Sequence, residues 1–291
     1  MAVRNAAPTL WRTRRGQDML ASAAILVVLA LGALVILLPF FWMLSTALKP
    51  AEQVYLSPPV WLPNPPQVSN FWTALTRVPF HIYALNTAIV VSLVMVGTLL
   101  SCSFSAYGFA RLRAPGKDLI FMLVLATLML PGAVTLVPTY LMFNTIGWVN
   151  TFLPLTVPAF FGSAFYIFLL RQFYMTIPVD LEEAAKIDGA SFYRIWWSIM
   201  LPLSKPVLAT VAVFTFVATY NDFFSPLIYL SDENMYTIAV ALSFFQGSPR
   251  IGPQMHLLMA AVTMSILPPL VLFLAAQRYF VRGIVMTGIK G

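Results

Sequence analysis

Charge is what this sequence has least of. Asp, Glu, Lys and Arg make up 9% of its 291 residues, against about 25% in a soluble globular domain. Such a chain cannot clothe a soluble surface, so a bilayer must cover it. Cysteine is nearly absent: Cys102 stands alone inside an apolar run. That excludes an intrachain disulfide and a cysteine-based metal site, and Cys102 reads as a small buried apolar residue. His256 opens an apolar stretch with no second titratable group beside it, which favours an interfacial histidine over a ligand or proton relay. Catalytic patterns are missing too. There is no H-E-x-x-H, no G-x-S-x-G elbow and no pair of intramembrane carboxylates, so no catalytic residue and no metal site are expected. The phosphate-cradling G-x-x-x-x-G-K-[ST] loop is also missing, so the chain cannot hydrolyse ATP by itself.

What is there is apolar. Hydrophobic residues reach 60% and the mean hydropathy is +0.84. Six stretches are long enough to cross a bilayer, which takes about 20 apolar residues each. They are Met19–Leu44, Tyr83–Ala110, Leu119–Phe143, Asn150–Leu170, Val207–Leu230 and His256–Tyr279. The runs do not alternate as barrel strands must, so the expected fold is an all-α, six-span membrane domain over residues 1–291. Arg12, Arg14 and Arg15 precede the first stretch as in a secretory signal. That stretch is too long for a signal core and ends in no small-residue cleavage site, so a retained span is expected.

Net charge is +7. Its placement argues for topology, not nucleic acid. Fourteen of the 17 Lys and Arg fall in the N-terminal tail, the second and fourth connections and the C-terminal tail. By the positive-inside rule both termini are cytoplasmic. Pro131, Pro138, Pro154 and Pro158 interrupt the third and fourth stretches, where each removes a donor and bends a helix. Those bends fit a transport path and fit plain kinks equally. The first external connection is rich in proline and carries Trp61 and Trp72, residues suited to the membrane–water interface. The last, Ser231 to Met255, is long enough to meet a partner outside.

The cytoplasmic connection 171–206 carries the most information. Pro178 suits a helix start, and Asp180, Glu182 and Glu183 suit the positive end of its dipole. Glu182 and Lys186, four apart, can pair on a solvated face. Gly189 stops this helix. Ser191 caps a second, in which Phe192, Ile195, Trp196 and Ile199 form one apolar stripe before Pro202 ends it. The spacing predicts a helix–turn–helix elbow. Docking on a partner and lying flat on lipid are both open to such a pair, though its acids disfavour anionic headgroups.

Glu183-Ala184-Ala185, Asp188-Gly189-Ala190 and Ile199, Leu201, Pro202 resemble the "EAA" loop of binding-protein-dependent ABC importer permeases. The Asp-Gly-Ala form and the six spans resemble the carbohydrate-uptake branch and its shorter, MalG-like subunit. Ala110 to Lys117 resembles the family's short loop, with Ala114 where an aromatic is common. Tyr220-Asn221-Asp222-Phe223 resembles its W-N-D-F, with Tyr for Trp, and Gly288 to Gly291 its terminal G-x-K-G. The resemblance implies a type I importer fold in a bacterial or archaeal plasma membrane. It implies that Glu183, Ala184, Ala185, Asp188, Gly189, Ala190, Leu201 and Pro202 couple to a cytoplasmic ATPase, and that Gly288, Lys290 and Gly291 approach it. It further implies a second homologous permease, two ATP-binding subunits that use ATP and Mg, and an external solute-binding protein touching Gly247, Pro249, Arg250, Gly252 and Pro253. Heterodimeric and homodimeric pairing of permeases both stand. The expected cargo is a sugar, with a polyol or glycerol-phosphate-type solute as the alternative.

Asn221 and Asp222 lie deep in the fifth stretch. A lipid-facing acid there costs about 2.5–3.5 kcal/mol. Asp222 therefore lines a path or subunit contact, or satisfies backbone groups near a helix break at Pro226. An ion-coupled transporter would favour several intramembrane acids and inverted repeats, and neither is visible. Neither that class nor a polytopic membrane enzyme explains the elbow.

Overall fold

A computed structural model describes residues 14–247 and 254–288, and every regular element among them is a helix. In chain order these are α1 (Arg14–Ala47), α2 (Ser69–Arg77), α3 (Phe80–Arg111), α4 (Lys117–Ala126), α5 (Gly132–Thr145), α6 (Leu153–Thr156), α7 (Ala164–Met175), α8 (Asp180–Ile187), α9 (Phe192–Ile195), α10 (Leu201–Leu203), α11 (Lys205–Tyr220), α12 (Phe224–Tyr229), α13 (Ile238–Ser243), α14 (Met255–Ser265) and α15 (Leu267–Gly288). Four runs are long and apolar enough to cross a bilayer: Ala21–Ala47, Phe80–Arg111, Leu153–Met175 and Met255–Gln277. Two bent pairs bring the number to six when each counts as one span.

The bends follow from local chemistry. Lys117–Met129 and Gly132–Thr145 meet at 100°, so the stretch expected at Leu119–Phe143 is not one straight helix. Leu130 is extended, at ψ 114°, because a residue before proline is kept out of the helical region. The stretch expected at Val207–Leu230 also divides, with α11 stopping at Tyr220 and α12 starting at Phe224.

Two buried clusters organise the bundle. The upper one joins the end of α1 with α2, α3, α11, α13 and α14. Its Ala47, Ala74, Ala241, Ala260 and Ala261 are fully buried, and small side chains of this kind let helices approach closely. Asn70 Nδ2 donates to the carbonyls of Ala47 and Lys49, both at 2.9 Å, fastening α2 to the end of α1. Lys49 is buried there, with Nζ 3.8 Å above the Trp42 ring. Desolvation lowers its pKa. The lower cluster holds Cys102, Ala106 and Tyr107 of α3, Leu170 and Tyr174 of α7, and Val207 and Val211 of α11. Cys102 is fully buried and its Sγ accepts from the Ser163 N–H at 3.2 Å. Residues 21–41 of α1 are exposed throughout, whereas its last turn is buried, so lipid or another subunit must cover the exposed length.

Gly97 is required for close approach: a Cβ there would lie 2.7 Å from Cδ2 of Phe160. Gly97→Val is expected to destabilise the protein by about 1–3 kcal/mol through overpacking, read as a lower melting temperature in detergent. Gly97→Val in a Phe160→Ala background is expected to cost less than in the parent.

Candidate functional site

The elbow between α7 and α11 is built from local signals. The Gly189 N–H donates to the Lys186 carbonyl at 3.0 Å and the Ala190 N–H to the Ala185 carbonyl at 2.9 Å, the paired bonds that close a helix through a left-handed residue. Gly189 has φ +77° and nothing within 4 Å of where a Cβ would stand, so conformation, not crowding, selects glycine. Ser191 Oγ then accepts from the Arg194 N–H at 3.4 Å, capping α9. The chain continues through a π turn, Trp196–Met200, into α10. Ser204 Oγ donates to the Met200 carbonyl at 2.6 Å, and the direction changes by 81° into α11. Ile195 is buried and Trp196 and Ile199 pack on the lower cluster. Phe192, expected on the same stripe, is 53% exposed.

The pairing expected between Glu182 and Lys186 is not what the fold uses. Glu182 is buried and Lys186 exposed. Glu182 Oε1 instead lies 2.7 Å from Arg111 Nε, at the last residue of α3, with side chains 2% and 9% exposed. The contact is a charge pair and not an aligned hydrogen bond. Arg111 Nη2 donates to the Tyr174 carbonyl at 2.8 Å and to the Ile177 carbonyl, just past α7. Tyr107 Oη sits 3.5 Å from Glu182 Oε2, a long contact. In the sequence Arg111 reads as a topology charge within the Ala110–Lys117 stretch, and no local signal there names Glu182 as its partner.

The residues of the resembling motif divide by exposure. Glu183, Ala184, Asp188 and Gly189 are exposed, whereas Ala185 and Ala190 are half-buried against the lower cluster. Leu201 is half-buried and Pro202 exposed. Glu183 and Ile187, one turn apart, share a face, and Ile187 is 87% exposed. Together they make an acidic and apolar face that the chain itself leaves uncovered, whereas the Tyr193 ring of α9 stacks on Phe104 of α3, centroids 5.6 Å apart.

The break after α11 places two neighbours in different cavities. Asn221 Nδ2 donates to the Val217 carbonyl at 2.8 Å. Asn221 lines a cavity of about 560 Å³ with Tyr220, Phe223, Ser243, Gln246 and Ser265. Asp222 is half-buried and its Oδ1 accepts from the Ser225 N–H at 3.0 Å, holding the start of α12. It lines a separate cavity of about 140 Å³ with Thr87, Thr219, Ser225, Tyr229 and Thr237. Tyr220 Oη donates to the Ser265 carbonyl at 2.7 Å. Gly247 has φ +98°. Pro249, Arg250, Gly252 and Pro253 lie outside the described residues, as do Lys290 and Gly291, and Gly288 closes α15.

Helix packing of this form is that of an ABC importer permease. A solved bacterial ABC transporter involved in import of the acidic polysaccharide alginate matches with a TM-score of 0.80 at 23% identity, over 94% of this chain and 100% of that one. The chain belongs to the family of binding-protein-dependent transport system inner membrane components, whose profile matches residues 97–286. It is 34% identical to the sn-glycerol-3-phosphate transport system permease protein UgpE of Yersinia pestis bv. Antiqua (strain Antiqua), over 94% of this chain and 97% of that protein. It is also 34% identical to the probable ABC transporter permease protein YurM of Bacillus subtilis (strain 168), over 94% and 90%.

Gly189→Ala is expected to cost about 1–2 kcal/mol, the steric penalty of a left-handed L-residue. Gly189→Asn is expected to cost less, since asparagine tolerates that region. Amide exchange across residues 180–204 reads the difference as faster exchange in the alanine variant.

Proposed function

We propose that this chain is one of two permeases in an ATP-driven importer of a sugar-like solute in a bacterial or archaeal plasma membrane, working by alternating access. Both termini and the elbow face the cytoplasm, in line with the Lys and Arg distribution. The exposed Glu183–Ile187 face, with Ala184, Asp188 and Gly189, seats in a cytoplasmic ATPase subunit, and that uncovered surface is the observation carrying the reading. Ala185 and Ala190 hold the elbow to the bundle, and Leu201 and Pro202 lead it into α11. The ATPases supply the ATP and Mg chemistry. A second permease covers the bare side of α1, and Gly288, Lys290 and Gly291 reach toward the ATPase pair. Outside, a solute-binding protein docks near Gly247, Pro249, Arg250, Gly252 and Pro253.

Asn221 lines the solute path, and Asp222 holds the break that opens it. Neither cavity wall carries Lys or Arg. Recognition of a phosphate ester draws on such cations, so these walls fit a neutral polyhydroxyl solute. A second reading, glycerol phosphate, is favoured by the 34% identity to permeases named for that compound.

Glu183→Lys and Ile187→Asp are each expected to reduce co-purification of the ATPase subunit at least tenfold while leaving the chain in the membrane. Normal co-purification from both variants would place the contact elsewhere. Calorimetry on the cognate binding protein, titrated with maltose and with sn-glycerol 3-phosphate, is expected to show binding of the neutral sugar. Binding of the ester alone would select the second reading.

A further inference from the structure

Glu182 and Glu183 are neighbours with opposite surroundings, one sealed in the bundle and one in the open. We propose that the Arg111–Glu182 pair is the rigid link that passes movement of the elbow to α3 and α7, with both side chains acting as positioning residues. This rests on the elbow being the ATPase contact.

The geometry is three-sided. From the end of α3, the Arg111 guanidinium meets Glu182 on α8 and also donates to the carbonyls of Tyr174 and Ile177 at the end of α7. Helix C-terminal carbonyls carry partial negative charge, so a cation is stabilised there. It is the one ion pair among the described residues. Both side chains are buried, so neither charge can exchange its partner for water, and in such surroundings an unpaired group is costly. A second guanidinium completes the block. Arg171 Nε donates to the Phe109 carbonyl at 3.3 Å, and its Cζ lies 4.4 Å above the Phe121 ring, joining α7 to α3 and α4. The other ties of α8 and its turn to the bundle are the long Tyr107 Oη–Glu182 Oε2 contact and the apolar contacts of Ala185 and Ala190. Packed apolar surfaces slide past one another in shear motions. A buried charge pair whose guanidinium is anchored by two hydrogen bonds at the end of α7 resists such sliding, because separation leaves both charges unmatched.

The test uses the assembled importer, with partner permease and ATPases, in right-side-out vesicles loaded with ATP and vanadate. Ser243→Cys, in the wall of the larger cavity, reports access to a membrane-impermeant maleimide. In that background, Arg111→Met with Glu182→Leu replaces the pair by apolar side chains, an exchange that buried ion pairs commonly tolerate in stability. Arg111→Gln with Glu182→Gln, which also leaves no unmatched buried charge, is the companion if the first double variant does not insert. The ATPase subunits are expected to co-purify and hydrolyse ATP within twofold of the parent, while the ATP–vanadate-dependent change in labelling falls at least tenfold. A labelling change within twofold of the parent's overturns the link. So does loss of the ATPase subunits from both variants, which would make the pair part of the docking surface. A parent that carries no ATPase refutes the docking reading itself. A parent that carries it without a vanadate-dependent change removes the alternating-access reading and the link together.

Discussion

A charge buried at the edge of a membrane has to be met by an opposite charge and by hydrogen bonds, and in this chain that demand converges on Arg111. Its side chain is 9% exposed and faces Glu182, 2% exposed. Removing one member of such a pair costs about 3–5 kcal/mol, because the other is left desolvated and unmatched, whereas the intact pair adds little net stability. What the pair supplies here is placement. With Glu182 drawn inward, the turn of α8 fixes the other face outward, so Glu183 and Ile187 are presented together.

The second constraint is the backbone. In hydrocarbon every N–H and carbonyl must be satisfied within the protein, so a broken helix survives only where protein or a cavity takes up the freed groups. The break after α11 meets that condition through its own side chains. Asp222 accepts the Ser225 N–H, Tyr220 donates to the Ser265 carbonyl across to α14, and Asn221 Nδ2 adds a second donor to the Val217 carbonyl, which the Asn221 N–H already meets at 3.2 Å. The helix break expected at Pro226 comes earlier, between Tyr220 and Phe224, with Pro226 inside α12; Asp222 accepts from the Ser225 N–H just beyond it, and Asn221 and Asp222 border separate cavities.

Signals that act within a few residues are legible in the sequence. The apolar runs, the left-handed stop at Gly189 and the cap at Ser191 all have local causes, and the elbow follows from them. Glu182 is misplaced by sequence because the i,i+4 rule offers Lys186 as a partner, while its real partner lies at the end of another span. No local pattern weighs a solvated lysine against a buried arginine. The same limit applies to the bends. Proline at 131 announces a kink, but its 100° angle depends on what packs on either side. Asn221 and Asp222 read as one polar dipeptide and face different cavities, a divergence that only the end of α11 decides.

The elbow and the larger cavity belong to different buried clusters, so the fold needs elements that reach both. Two do. On α3, Tyr83 and Val91 lie in the upper cluster while Cys102, Ala106 and Tyr107 lie in the lower. On α11, Val207 and Val211 lie in the lower cluster and Tyr220 in the upper. Each is an unbroken helix over that length, and a packed helix moves as a body sooner than it compresses. The elbow meets one end of each rod. Through Arg111 it holds the end of α3, and through the turn at Ser204 it runs directly into α11. Packed helix therefore runs without interruption from the elbow to the level of Tyr220 and Asn221, the residues that wall the cavity, along both α3 and α11. On the proposed reading of the elbow as the ATPase contact, these two helices are what carries a change at a surface turn into the middle of the membrane, without any residue of the elbow touching the cavity itself.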